Sequence, residues 1–350
     1  DILGASVWLR WMESHKIKIP FPNAGYRGDY IRDIASEIDT NGLAVPSADE
    51  VLDGLPDQDS AESYEPYVEA LIAKAKVLLG EDGFDHIRQQ SLESILADIK
   101  DDLEGFGVTF DTWYSEQSLT KTGRIDDALA VLEKRGMLYK KDGATWFPAT
   151  DFGDEKDRVV VRENGVKTYF ASDIAYHFDK RERGFDHLID ILGADHHGYI
   201  ARVRAGLEAM GYQGDDLEVE LVQFVTLYRG GEKMQMSTRS GEFDTLRQLR
   251  AEVGNDAARF YYVMRSNDQH LDFDLDIATS QSNDNPVYYI QYAHARIARV
   301  FRKANESSMN WDPENGRAQL SQLTAPQEKS LMSAMSRYPE ILDLAAKNRA

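Results

Sequence analysis

Apolar positions recur at helical intervals over most of this chain and alternate in only a few short stretches. Asp1 to Glu13 (DILGASVWLRWME) has helical spacing with no start signal before it, so it reads as a helix entered partway and the chain as a fragment. A turn-rich connection, Phe21 to Tyr30, leads to a helix over Ile31 to Ile38, and Asn41 to Ala61, rich in Asp, Gly, Pro and Ser, predicts a loop or mobile insertion. Two long helical patterns follow, Tyr64 to Leu79 and Phe84 to Phe106. The second carries one apolar stripe (Ile87, Leu92, Ile95, Leu96, Ile99, Leu103) that is expected to be core. Val108 to Tyr114 predicts a strand and Gly123 to Arg135 a helix. Asp142-Gly143 and Asn164-Gly165 are hairpin turn pairs, the second joining Arg158–Val161 to Val166–Phe170, so the stretch from about 107 to 168 reads as a small β-rich insertion.

From Ser172 strands and helices alternate. A helix is expected over Asp173 to Arg181, a strand over His187 to Leu192, a turn at Gly193 to Gly198 and a helix from Tyr199 to Met210. An alternating run, Leu217 to Leu227, then predicts a strand, followed by a glycine-rich stretch, Tyr228 to Gly241, and helices over Leu246 to Val253 and Asp256 to Arg265. Such alternation implies a parallel, doubly wound sheet, with ligands beyond the carboxyl ends of the strands. From Pro286 onward the pattern is helical throughout, at Pro286 to Ala304 and Gln327 to Lys347. The expected organisation is a Rossmann-like catalytic domain over 1–280, incomplete at its N-terminus, and the start of an all-α domain over 281–350.

Composition narrows the function classes. There is no cysteine, which excludes disulfides, thiolate zinc sites and a cysteine nucleophile and fits a reducing cytoplasm. No apolar run approaches the roughly 20 residues of a membrane helix. Net charge is −20, which argues against indiscriminate binding to nucleic acid, because such affinity comes mainly from phosphate neutralisation. The charge is uneven: residues 281–350 hold nine Lys and Arg against seven Asp and Glu, net +2, leaving −22 on the first 280.

Three places carry candidate chemistry. Tyr228-Arg-Gly-Gly-Glu-Lys-Met-Gln-Met-Ser-Thr-Arg-Ser-Gly241 combines glycines with Arg229, Lys233 and Arg239 and the hydroxyls of Ser237, Thr238 and Ser240, a set suited to a polyphosphate; the plainer reading is a solvated surface hairpin. Gly193-Ala-Asp-His-His-Gly198 lies between a strand and a helix, where free N–H groups, Asp195 and His196 could meet a nucleotide, or where Asp195 merely caps a helix. Tyr169 and Asp173 could hold a cationic group such as a guanidinium, but Asp in a first helical turn behind a Ser172 cap explains the pair as well. The eight histidines show no metal-ligand spacing.

Taken together, Tyr26-Arg-Gly-Asp-Tyr-Ile31, Phe110-Asp-Thr-Trp-Tyr-Ser-Glu116, Lys167-Thr-Tyr-Phe-Ala-Ser-Asp-Ile-Ala-Tyr-His177, Ile191-Leu-Gly-Ala-Asp-His-His-Gly198, Met236-Ser-Thr-Arg239 and Asn285-Pro-Val-Tyr-Tyr-Ile-Gln-Tyr-Ala-His-Ala-Arg296 resemble the arginyl-tRNA synthetases of the bacterial type, class I aminoacyl-tRNA synthetases. They run in family order over most of the chain. The resemblance implies a class I Rossmann-like fold with a β-rich insertion and a helical anticodon-binding domain. Tyr169 and Asp173, with His196, match the positions that hold arginine. Gly193 and Asp195 match the nucleotide pocket, and Met236, Ser237, Thr238 and Arg239 the signature loop that closes over ATP, Lys233 lying just before it.

Two departures accompany it: no two histidines have the His-x-Gly-His spacing of the first class I signature, which by family layout precedes Asp1, and Gln235 stands where a lysine usually opens the second. The implied activity is arginine–tRNA ligation with ATP, Mg2+ carried on the ATP and tRNA(Arg) as partner, by a cytoplasmic monomer that binds no membrane. Residues 1–350 alone are expected to be inactive. The alternative is a non-catalytic tRNA-binding relative that keeps the fold. The arginine reading requires the turns around Asp195 and Ser237 to face one cleft with Tyr169 and a free Asp173 carboxylate.

Overall fold

The computed structural model describes residues 1–40, 42–56, 64–234 and 245–349. The backbone packs into two units, Asp1–Thr109 with Tyr228–Arg259 and Phe110–Leu227 with Phe260–Ala350.

The first unit is mainly helical. Helix α1 (Ile2–Ser14) buries Val7, Trp8, Leu9, Trp11 and Met12 against α2 (Asp29–Glu37) and α4 (Tyr64–Gly105). Ser6, fully buried, donates to the Ile2 carbonyl (2.8 Å) and accepts from the Tyr26 backbone N–H (3.0 Å), which fastens the Tyr26–Tyr30 segment to α1. The expected loop between α2 and α4 contains a short helix, α3 (Ala48–Leu52), because Ser47 and Glu50 form a reciprocal capping box. In α4 the backbone turns left-handed at Gly80 (φ 73°), so the two sequence patterns are two helices meeting at a glycine. The apolar stripe of the second is core only at its start. Ile87 is fully buried, whereas Leu92 and Ile99 are each 43% exposed. Ile95 and Ile99 instead border an open groove of about 910 Å³ shared with Tyr26, Tyr30, Asp98 and Arg247.

The second unit holds the α/β part. Phe110–Ser115 is irregular rather than a strand, and helices α5 (Glu116–Lys121) and α6 (Arg124–Lys134) follow. The insertion is an antiparallel sheet of β1 (Tyr139–Lys141), β2 (Ala144–Phe147) and β3 (Arg158–Val161). Asp142 (φ 49°) and Gly143 (φ 75°) make the predicted tight turn, with Lys141 opposite Ala144. The second hairpin shrinks to one bridge, Val161 with Lys167. Thr168 accepts from the Ala171 N–H and starts α7 (Tyr169–Glu182) there, so Thr168 and not Ser172 is the cap.

Strand β4 (Leu188–Gly193) runs parallel to β5 (Leu217–Val222) in unbroken register, Leu188 opposite Leu217 and Gly193 opposite Val222. Between them come a 3-10 helix, Ala194–Tyr199, and α8 (Ile200–Ala209). Phe147, Phe170, Ile174 and Leu207 fill the core that α6, α7, α8 and the β-sheet share.

The expected long strand from 217 to 227 is interrupted at Gln223, whose N–H bonds the Asn267 carbonyl (2.9 Å). The chain resumes as β6 (Val225–Arg229), which turns through Gly230 (φ 60°) and Gly231 (φ 78°) into β7 (Glu232–Lys233). This half of the glycine-rich stretch is therefore a β-hairpin whose two turn residues both need positive φ.

Helix α9 (Leu246–Val253), capped by Thr245 and Gln248, places Arg247 on Asp98, Asp101 and Asp102 at 2.7–2.9 Å. Helix α10 (Asn255–Val263) follows, then β8 (Leu271–Asp274), where Asp274 caps α11 (Leu275–Thr279). The remainder is helical: α12 (Pro286–Glu306), α13 (Pro313–Ala318), α14 (Pro326–Ser336) and α15 (Tyr338–Asn348). The last expected helix is two, divided just before Pro339, whose ring cannot continue a helix from the residue ahead.

Candidate functional site

Helix α7 positions the first pair. Tyr169 is its first residue and Asp173 lies one turn on, so the two sit on one helix rather than across a junction. Tyr169 is 79% exposed. Asp173 is partly withdrawn from water, and burial pushes its carboxyl above the ordinary aspartate range, with a hydrogen bond from Tyr199 and the proximity of His177 opposing the rise. Among the described residues no cation forms an ion pair with it.

The orientation of α7 is set from β4. His177 Nε2 and Lys180 Nζ each reach an Asp190 oxygen at 2.7 Å, while His177 Nδ1 donates to the backbone carbonyl of Asp173 (2.8 Å). Burial alone would raise the Asp190 carboxyl, but the hydrogen bonds and charges of His177 and Lys180 outweigh it and hold it at about 2. Further along α7, Asp179 faces Arg183 (3.0 Å) and Arg124 (3.6 Å), and the Tyr114 ring packs 4.6 Å from Tyr176. The Phe110–Glu116 motif thereby buttresses α7, while Phe110 and Trp113 themselves stay largely exposed.

The turn after β4 supplies the second group. A Cβ on Gly193 would meet the Asp195 carboxylate at 2.6 Å, so the bare glycine lets Asp195 fold back over the strand end. Asp195 holds His196 Nδ1 at 3.1 Å, both side chains half exposed, and the His196 ring meets Tyr199 edge-on at 6.2 Å. Burial first, and then the charge of Asp173, push the Tyr199 phenol up. The structure thus brings Asp195 and His196 together at the strand-end turn and sets His196 against Tyr199, a residue that pattern reading assigned only to the start of a helix. Its signal was an aromatic hydroxyl closing a strand-end turn. Arg202, Asp154 and Arg158, which stand behind Tyr199, were also missed.

Lys233 is exposed on β7, in the hairpin. Met236, Ser237, Thr238 and Arg239 lie outside the described residues. Among the described residues no three His, Asp or Glu side chains gather as metal ligands, and no helix is long and apolar enough to cross a membrane.

A parallel strand pair whose first strand ends in a glycine turn is the arrangement beyond which α/β folds bind small molecules. The family described as tRNA synthetases class I (R), catalytic domain, matches residues 70–285, and the DALR anticodon binding domain matches 290–350. The arginine–tRNA ligase of Thioalkalivibrio sulfidiphilus is 56% identical over 349 residues, covering 99% of this chain and 60% of that protein, and that of Legionella pneumophila (strain Philadelphia 1) is 53% identical over 99% and 59%. Among solved structures, a putative arginyl tRNA synthetase from Campylobacter jejuni superposes with a TM-score of 0.78 at 31% identity, over 100% of this chain and 69% of that one. The Thermus thermophilus arginyl-tRNA synthetase, 22% identical with a TM-score of 0.60, over 84% of this chain and 56% of that one, shares the fold. The chain belongs to the arginyl-tRNA synthetase family of class I, and it spans about 60% of the length of the curated relatives it matches.

Proposed function

We propose that the protein of which this chain is part is an arginine–tRNA ligase. It activates L-arginine with ATP, Mg2+ arriving with the nucleotide, and passes the arginyl group to the 2′-OH of the terminal adenosine of tRNA(Arg). A cytoplasmic monomer with no membrane association is the matching expectation. The observation that carries the reading is Asp173: a partly buried carboxylate with no cation paired to it among the described residues, on the helix that precedes β4. Keeping a charge there is costly unless a ligand completes it, and a planar guanidinium with its fork of donors is the complement.

In this reading Asp173 grips the guanidinium, Tyr169 and His196 line the amino-acid pocket, and Gly193 and Asp195 face the nucleotide. Met236, Ser237, Thr238 and Arg239, with Lys233 nearby, act on the triphosphate. The arginine carboxylate attacks the α-phosphate, pyrophosphate leaves, and no covalent enzyme intermediate forms, so the residues contribute positioning and charge stabilisation. The region 281–350 begins the tRNA-binding part. In the full-length protein, Asp173→Asn is expected to raise the arginine KM at least about tenfold, since removing one partner of a buried charge pair is strongly unfavourable. An arginine KM close to wild type refutes the assignment.

A further inference from the structure

The polar cluster that joins α7 to β4 has more hydrogen-bond acceptors around one ring than a neutral imidazole can serve. His177 is buried, 5% exposed, and meets an oxygen at each ring nitrogen. Nδ1 lies 2.8 Å from the backbone carbonyl oxygen of Asp173, one turn back along α7, and Nε2 lies 2.7 Å from Asp190 Oδ2. The other Asp190 oxygen accepts from Lys180 Nζ at 2.7 Å. Lys180 is itself held over the Tyr176 ring, 4.5 Å from its centroid. A backbone carbonyl only accepts, and so does an ionised carboxylate. A neutral imidazole has one N–H and would turn a lone pair toward one of these two oxygens at contact distance. Lys180 on the far oxygen keeps Asp190 ionised, which removes the alternative of a carboxylic acid donating to the ring.

We propose that His177 is a positioning residue for the guanidinium substrate: a buried imidazolium that pins the turn of α7 carrying Asp173 to the Asp190 carboxylate on β4. Its substrate rests on the arginine-ligase reading, to which it adds the protonation of one ring and a fixed charge beside the ligand. The two N–H bonds are charge-assisted, about twice as strong as neutral ones, so the turn that presents Asp173 is held to the sheet rather than left to its own helix. The same proton also sets the local charge. His177, Lys180 and Asp190 then sum to a single positive charge one turn from Asp173, and an ionised Asp173 brings the group to neutrality. The charged and titratable groups that meet the ring or flank its partners are Asp190 on β4, Lys180 and Asp173 on α7, Glu116 at the start of α5 and Tyr199 in the strand-end turn. Glu116 and Asp190 disfavour an ionised Asp173, and His177 supports it against burial, the largest opposing influence.

The test begins with nitrogen NMR of the full-length enzyme, isotope-labelled at histidine, at neutral pH. The ring whose signals vanish in His177→Gln should show hydrogen on both nitrogens. A ring with hydrogen on one nitrogen alone overturns the proposal whatever the kinetics. The same variant then goes into steady-state kinetics, since its amide keeps a donor for Asp190 and loses the charge. The arginine KM should rise about tenfold, the scale of one hydrogen bond to a charged group, with kcat and the ATP KM within about twofold of wild type. His177→Asn replaces the glutamine variant in both measurements if that one does not fold. If Asp173→Asn raises the arginine KM while His177→Gln leaves it at wild type, the positioning role is overturned and the arginine reading stands. If Asp173→Asn itself changes nothing, the arginine reading falls and takes the positioning role with it. Should His177→Gln lower the melting temperature and kcat at an unchanged arginine KM, the residue belongs to the general scaffold and the proposal is overturned.

Discussion

Asp173 is expensive for the fold that carries it. Its carboxyl is raised in the folded chain, so folding favours the protonated form and loses stability as pH rises from the ordinary aspartate value through the folded one. Below both values the cost is absent; above both it is fully present. Asp173→Asn should therefore raise the thermal midpoint at neutral pH, and the gain should vanish near pH 3 in scanning calorimetry. A variant that is more stable and binds arginine worse is the signature of a charge retained for a ligand. The residue was visible in the sequence only through a resemblance. Its spacing from Tyr169 fitted a helix start equally well, and desolvation comes from parts of the chain that no local window contains.

At the scale of elements, α7 is the piece that most of the site depends on. His177 and Lys180, three apart on one face, grip Asp190 on β4. The Asp190 carboxyl falls from 3.8 to about 2, so the pair stabilises the fold fully above the ordinary value and loses that contribution as pH falls toward 2. Asp190→Asn should cost about 2 kcal/mol at neutral pH and almost nothing near pH 2, as measured by urea unfolding at each pH. Where turn chemistry is local, as at Asp142-Gly143, the element was legible in the sequence, whereas Gly230-Gly231 turned the plainer alternative for its stretch, a hairpin, into the observed one. Ser47 and Glu50 announced α3 just as locally, but the Asp/Gly/Pro content around them suggested a loop. The interruption at Gln223 was illegible, because its partner is Asn267, far along the chain.

For the whole molecule, two separate cores are the organising fact. One gathers Trp8, Met12, Ile31, Leu71 and Phe84; the other gathers Phe147, Phe170, Ile174 and Leu207. Truncating a fully buried aromatic in either costs about 3–5 kcal/mol. Trp8→Ala should speed amide hydrogen exchange in peptides from α1, α2 and α4, and Phe147→Ala in those from α6, α7 and α8, read by mass spectrometry. Helical periodicity marked one expected core stripe, Ile87 to Leu103, of which only Ile87 is fully buried, and it says nothing of strand residues such as Phe147 that the second core gathers. Alternation of strand and helix pointed correctly to the parallel pair, β4 and β5. The exposed Ile297, Val300 and Phe301 on α12 show the limit of that reasoning, since a helical stripe predicts burial without naming what covers it.

The salt link between Asp154 and Arg158 ties the loop before β3 to the first residue of that strand, with the Asp154 side chain only 4% exposed. Because that carboxylate is withdrawn from water, losing Arg158 would strand a buried charge, so the seam between this sheet and α8 is where the second unit should loosen first.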